Sequence, residues 1–208
     1  MFIFNLMFSP CTGQNKTVVR IIDKKLSQQY YEKATKQFLQ NTNSLSNILK
    51  VIAIIDSSIY FNDSNIIARK EKIGYLGLSG NCKEAIKDCE TLKKFVNSSM
   101  DTCIIGMVEA EAYLLNNQHD ISQKIYTEII NRLDFMLLSN KDSLDLLLFK
   151  VNVLYMNENK EEAKLLLKAI KAACIDNKKY EFTFELLDNF DRDTYLMEQK
   201  RTTEVLKK

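Results

Sequence analysis

The scarcity of glycine and proline constrains the fold of this chain more than any other feature. Its 208 residues include five glycines and one proline, Pro10. Sandwiches and barrels need many turns that contain glycine or proline, and doubly wound sheets need glycine-rich loops. Long stretches of Leu, Ile, Lys, Glu and Ala, separated by short Asn/Ser/Asp breaks, are instead typical of stacked helices. The sequence therefore predicts an all-α fold.

The charge balance argues against a nucleic-acid partner. Twenty-nine basic and 27 acidic residues leave a formal net charge of +2. The basic residues are spread along the chain, apart from a C-terminal group that suits the negative end of a helix dipole: Lys200, Arg201, Lys207 and Lys208. Nucleic-acid binding calls for a basic stripe, with stacking aromatic side chains for single strands. We therefore expect no nucleic-acid partner.

The N-terminal segment consists of the apolar run MFIFNLMF, then Ser9, Pro10 and Cys11, then the polar stretch TGQNK. A bilayer-spanning helix takes about 20 apolar residues, so this run is too short to span a membrane. It is long enough to form the apolar part of a short secretory signal. The segment resembles a bacterial lipoprotein signal, in which an apolar run ends at a cysteine that receives a lipid.

This resemblance implies that residues 1–15 are a signal-like segment, that Cys11 is lipidated, and that the protein lies in the bacterial cell envelope. Phe8, Ser9 and Pro10 stand where that family prefers leucine and small residues. The alternative is a loosely docked apolar N-terminus with an ordinary cysteine, in a cytoplasmic protein.

Internal repetition is clearest over residues 66–96. Apolar residues three and four positions apart indicate two amphipathic helices on either side of Ser79-Gly80-Asn81. Gly80 supplies the left-handed conformation that ends a helix. Asn81 with Glu84 is a capping signal for the second helix, and the same signal recurs at Asn159 with Glu162. The segment therefore predicts a helical hairpin, with similar hairpins before and after it.

This hairpin resembles the tetratricopeptide repeat, a two-helix unit of about 34 residues. In that family a glycine closes the first helix, and an alanine five positions later lies where the two helices pack closely. Gly80 and Ala85 hold these positions. The resemblance covers about residues 30–175, and its close-packing positions, at spacings of 34, 37 and 41 residues, are Val51, Ala85, Ser122 and Ala163.

The resemblance implies a single domain over residues 16–208. It would be an α-solenoid, a right-handed superhelical stack of about four antiparallel helix hairpins, with a C-terminal capping helix. We expect residues 16–40 to form a long first helix. Residues 178–205 are expected to add one or two helices that cover the exposed end of the stack.

No residue cluster indicates catalysis. The one histidine, His119, lies in the turn NNQHD beside Asp120, which is expected to be the N-cap of the next helix. The acidic pair Glu161-Glu162 lies in a helix first turn, where the dipole favours negative charge. No C-x-x-C pair exists, so we expect no metal site or cofactor and interpret the remaining cysteines as unpaired core residues: Cys82, Cys89, Cys103 and Cys174.

A binding surface follows from the tetratricopeptide resemblance. First helices in that family line a concave groove that holds a peptide or a partner's helix, and the corresponding residues here are Lys36, Gln40, Lys70, Met107, Glu111, Asn152 and Tyr155. We therefore expect a non-catalytic adaptor that binds another protein or peptide and meets the membrane only through a lipid on Cys11. One alternative is a soluble cytoplasmic structural or regulatory subunit of a larger assembly, which a large exposed apolar patch would favour. A small-molecule sensor, which a deep closed pocket would favour, is a third hypothesis.

Overall fold

The computed structural model describes residues 22–40, 44–174 and 177–206. Within these ranges the chain forms ten α-helices and no strand: α1 (Lys24–Gln40), α2 (Leu45–Phe61), α3 (Ile66–Leu78), α4 (Cys82–Leu92), α5 (Ser99–Leu115), α6 (His119–Ser139), α7 (Leu144–Met156), α8 (Lys160–Ala173), α9 (Asn177–Asp188) and α10 (Arg192–Leu206). The prediction of an all-α fold is confirmed. The signal-like segment of residues 1–15, with Cys11, lies outside the described residues, as does the predicted helical stretch 16–21.

From α1 to α9, each helix packs against its neighbours in the chain. The positions assigned to close packing lie inside this stack: Val51, Ser122 and Ala163 are fully buried, and Ala85 is 1% exposed. Apolar side chains from consecutive helices join in three clusters along the stack. Hydrophobic burial between neighbours therefore holds the array together, as expected for a linear arrangement of helices.

The same backbone turn separates the helices of three hairpins. Gly80, Asn117 and Glu158 have positive φ angles of 73°, 59° and 65°. One residue later, a backbone amide donates to the carbonyl five positions back, at 2.9 Å in each turn: Asn81 to Leu76, Gln118 to Tyr113 and Asn159 to Leu154. This pattern is the Schellman motif. It defines the hairpins α3–α4, α5–α6 and α7–α8.

The predicted capping interactions are wrong in detail. Asn81 and Asn159 are N-cap residues, but neither side chain accepts a capping hydrogen bond. Their ψ angles of 60° and 53° follow from the Schellman turn and lie outside the extended conformation that Ser44 and Ser98 adopt, whose hydroxyls do cap α2 and α5. The N-cap of α6 is Gln118, and Asp120 lies in the first turn instead.

Two lysines on first helices connect the helices on either side. Lys72 Nζ on α3 lies 3.0 Å from Asp56 Oδ1 of α2 and 2.7 Å from Asp88 Oδ2 of α4. Lys150 Nζ on α7 lies 2.7 Å from Asp134 Oδ1 of α6 and 4.0 Å from Glu162 Oε1 of α8. Both lysines precede the left-handed residue of their turn by eight positions. The repetition in the fold therefore extends to its ion pairs.

The cysteine prediction holds for two residues. Cys89 and Cys103 are fully buried, and burial raises the pKa of the Cys89 thiol to about 12, so both behave as small core side chains. Cys82 and Cys174 are only half-buried. These two lie at the ends of α4 and α8 and still pack against the core clusters.

The C-terminal helices do not both cover the end of the stack. α9 packs on α8, as predicted for a terminal cover, but α10 turns back. The Phe190 ring lies 5.5 Å from that of Tyr155 on α7, the Tyr195 hydroxyl lies 3.4 Å from Glu111 of α5, and α10 then contacts α3. α10 therefore crosses the surface formed by α3, α5 and α7, which we call the first-helix face.

Candidate binding site on the first-helix face

The predicted groove residues nearest the N-terminus are open to solvent or ion-paired. Lys36 and Gln40 are exposed on the second half of α1. Lys70 on α3 is half-buried, and its Nζ lies 2.6 Å from Asp101 Oδ1 of α5. The exposed Ile67 lies one helical turn before Lys70 on the same side of α3. This part of the first-helix face carries both charge and apolar surface.

The other predicted groove residues are less accessible. Met107 packs against the cluster formed by α5, α6 and α7, and Asn152 is half-buried. Tyr155 is buried and contacts Phe190. Glu111 is half-buried and accepts a hydrogen bond from Tyr195. Phe190, just before α10, and Tyr195, on α10, thus contact two of the predicted residues, Tyr155 and Glu111.

α10 rests on the first-helix face through one of its sides. No described side chain of α10 is fully buried. The half-buried residues recur at helical spacing and are Arg192, Tyr195, Leu196, Gln199 and Thr203. Arg192 Nη1 lies 2.8 Å from Glu158 Oε1, in the turn after α7. The outer side of α10 exposes Met197 and Val205. α10 therefore docks through one side of mixed polarity, and its interface with the first-helix face is shallow.

A partly enclosed cavity of about 200 Å³ lies between α10 and the first-helix face. Its lining is mainly apolar and comes from α3, α4, α5 and α10, with Ile73, Ala85, Val108 and Leu196 among its members. Gly74 and Gly77 also line it, and a Cβ atom added at either glycine would meet no atom within 4 Å. Space therefore remains under α10 where it crosses α3.

Glu111 places a carboxyl group in this apolar lining. Burial raises its pKa to about 7, and the hydrogen bond from Tyr195 only partly opposes that shift. Burial, together with the Glu111 charge, raises the pKa of Tyr195 to about 12. Burial and the same charge also raise the pKa of Tyr126 on α6. At neutral pH the two tyrosines are thus uncharged, and Glu111 is close to its titration point.

The return of α10 was not predicted from the sequence. Its docking side is small, and apolar residues also lie on its outer side, so its pattern does not distinguish a terminal cover from a helix that folds back. Gly74 and Gly77, three positions apart on one side of α3, would allow another helix to approach closely and are the signal that the sequence offers. In the structure the two glycines line the cavity beneath α10, with no atom within 4 Å of either Cβ position.

A separate apolar surface lies on α9. Phe182 and Leu186, four positions apart, are 71% and 55% exposed. Residues at this spacing share one side of a helix, and α9 is the last helix of the sequential stack. An exposed apolar surface of this kind favours the alternative, a subunit of a larger assembly.

No protein-family model matches the chain, and comparisons with curated proteins and with solved structures also find no match. Among the described helices, none has the combination of length and apolar character that crossing a membrane requires. The described residues also contain no group of three or more His, Cys, Asp or Glu side chains placed to hold a metal ion.

Proposed function

We propose that this protein is a non-catalytic adaptor that binds a helical segment of a partner protein on the first-helix face. The observation that carries the proposal is α10, a helix that already lies there through the half-buried Tyr195 and Leu196. Its shallow contact and the cavity beneath it leave room for a partner helix with larger apolar side chains. The partner would therefore take the place of α10.

We further propose that the array is a right-handed, tetratricopeptide-like α-solenoid. Three left-handed turn residues, Gly80, Asn117 and Glu158, are each followed five positions later by a small buried residue. Those residues are Ala85, Ser122 and Ala163. A small residue at a fixed distance from the turn lets the two helices of each hairpin approach closely, which supports a repeated unit.

Photo-crosslinking in the native host tests the adaptor proposal. A benzoylphenylalanine replaces Ile67, which is exposed on the same side of α3 as Gly74, and in a control it replaces Leu165, which is exposed on α8. We expect a discrete crosslinked partner from position 67, lost when Val108→Lys places a charge on the first-helix face. Equal crosslinking from both positions, or no effect of Val108→Lys, would contradict the proposal.

Lipidation of Cys11 and a place in the bacterial cell envelope remain part of the proposal, resting on the lipoprotein-like sequence alone. The intact mass of the N-terminal peptide from the native host tests them. A peptide that starts at Cys11 and carries acyl chains supports an anchored adaptor. An unmodified peptide starting at Met1 removes the anchor and favours a cytoplasmic protein.

The exposed side of α9 favours a second candidate function, a soluble structural or regulatory subunit of a larger assembly. Phe182 and Leu186 would pack against another subunit there. In that case Phe182→Glu should release the protein from its native complex, measured by size-exclusion chromatography of host extracts. Under the adaptor proposal, Phe182→Glu leaves the complex intact and Val108→Lys disrupts it.

A further inference from the structure

We propose that the cavity beneath α10 binds a small apolar amine, with the ligand ammonium group paired to the Glu111 carboxylate. The site differs from the partner-binding surface because it exists only while α10 is in place. Tyr195, Leu196 and Gln199 supply its α10 side, and α3, α4 and α5 supply the floor. The proposal therefore goes beyond the adaptor function and requires no protein partner.

The size of the cavity sets the size of the ligand. Its volume is about 200 Å³, and an apolar protein cavity of about 150 Å³ is large enough to hold benzene. A six-membered ring with a short side chain therefore fits. The apolar lining, which includes Ile73, Val108 and Leu196, excludes strongly hydrated ligands because they would lose their water without compensation.

The charge of the lining selects the head group. Glu111 is the one carboxyl among the described lining residues, and none of them is Lys, Arg or His. Its hydrogen bond to the Tyr195 hydroxyl, at 3.4 Å, is long. A carboxylate held in apolar surroundings without a cation is unstable, and an ammonium group from a ligand would supply the missing charge.

Other ligand classes fit less well. A ligand carboxylate would repel Glu111 at close range. A neutral hydrocarbon would fill the volume but leave the Glu111 carboxylate without a cation. An apolar amine satisfies both the apolar lining and the carboxyl group.

Binding would also hold α10 in place. A ligand in the cavity touches α10 and the first-helix face together, and it stabilises the arrangement in which both are in contact. If the proposed function is correct, such an amine competes with the partner helix although the two do not share all contacts.

Three probes of similar shape test the proposal on the full-length protein: benzylamine, benzyl alcohol and benzoate. Binding is measured at pH 8 by protein-observed NMR titration. We expect benzylamine to bind at least about tenfold more tightly than benzyl alcohol, because it alone forms the charge-assisted pair, and benzoate not to bind. Equal affinities for benzylamine and benzyl alcohol, or binding of benzoate, would overturn the assignment.

Two variants locate the site. Glu111→Gln should weaken benzylamine about tenfold or more and change benzyl alcohol by no more than about threefold. Gly74→Leu should abolish binding of both, because its side chain enters the open space over α3. Unchanged benzylamine binding in either variant contradicts the proposal. The three-probe comparison on the unmodified chain decides the matter even where a variant does not fold, and its outcome is separate from that of the crosslinking experiment.

Discussion

Tyr195 on α10 donates a hydrogen bond to Glu111 on α5 across 84 positions of sequence, with 3.4 Å between the hydroxyl and Oε2. This contact places the last helix of the chain on helices from its middle. It is also the point at which the first-helix face buries a carboxyl group. The stability of α10 on that face is therefore coupled to the ionisation of Glu111.

Glu111→Gln should stabilise the protein at pH 8. The folded-state pKa of Glu111 is raised from its ordinary 4.5 to about 7, so the folded state binds the proton more tightly than the unfolded state. Stability is then highest below pH 4.5 and falls as pH rises towards 7, by at most about 3 kcal/mol. Tyr195 and Tyr126, which also interact with this group, stay neutral in that range. Urea unfolding at pH 5 and pH 8 should show a larger gain for the variant at pH 8.

The matched control is Glu109→Gln, two positions earlier on α5. Glu109 is buried and forms an ion pair with Lys93. Its replacement removes the charge that pairs with this lysine and should destabilise the protein by about 1–3 kcal/mol at pH 8. Loss of stability in both variants would show that Glu111 is not the unfavourably buried group described here.

Lys72→Met should lower the free energy of unfolding more than Lys150→Met does. Burial lowers the pKa of Lys72, but Asp88 and Asp56 outweigh it and raise the pKa overall, so the lysine stays charged. Its removal leaves Asp88, 13% exposed, without its cation, at a cost of about 1–3 kcal/mol. The partners of Lys150 are more than half exposed, so that loss should stay below about 1 kcal/mol. Chemical unfolding of both variants measures the difference, and equal costs would contradict this account.

Gly80→Ala should destabilise the protein, and Gly74→Ala should stabilise it. Gly80 has a φ of 73°, and alanine there should cost about 1–2 kcal/mol. Gly74 is helical, with open space at its Cβ position, and alanine there should stabilise α3 by about 0.5–1 kcal/mol. Thermal unfolding tests the pair. If Gly80→Ala is as stable as the unmodified protein, the assignment of a Schellman turn to this hairpin is incorrect.

Ala85→Trp should cost about 1–3 kcal/mol because it overfills the contact between α3 and α4. Lys87 is exposed on the same helix, so Lys87→Trp is a suitable control with little expected effect. If tryptophan at position 85 is tolerated as well as at position 87, the assigned packing register is incorrect. Denaturant midpoints for the two variants give the answer.

The helices and the packing positions were accessible from sequence because both depend on local information. Apolar spacing gave the helix faces, and Gly80 gave the turn that separates α3 from α4. Of the equivalent turn residues, Asn117 is of a type that adopts the left-handed conformation readily, whereas Glu158 is not, so residue type alone does not mark the turn at Glu158. The absence of side-chain caps at Asn81 and Asn159 depends on backbone angles that the residue type does not determine.

The covered part of the binding site was not accessible from sequence, since it depends on contacts between distant segments. Glu111 was predicted as a groove residue, but its contact with Tyr195, 84 positions later, was not predicted. The docking residues of α10 make few and shallow contacts, and the sequence leaves only a faint periodic pattern for them. The cavity is the space left between α10 and the first-helix face, and no local sequence pattern predicts that space.

The most direct test of helix binding on the first-helix face uses a fluorescent peptide with the sequence of residues 190–206. Leu196→Asp in the full-length protein should release its own α10, because Leu196 lies in the apolar docking surface. We predict that the peptide binds this variant, binds the unmodified protein more weakly, and does not bind Leu196→Asp/Val108→Lys, as measured by fluorescence anisotropy with folding checked by circular dichroism. No binding to folded Leu196→Asp, or equal binding to the double variant, would contradict the account.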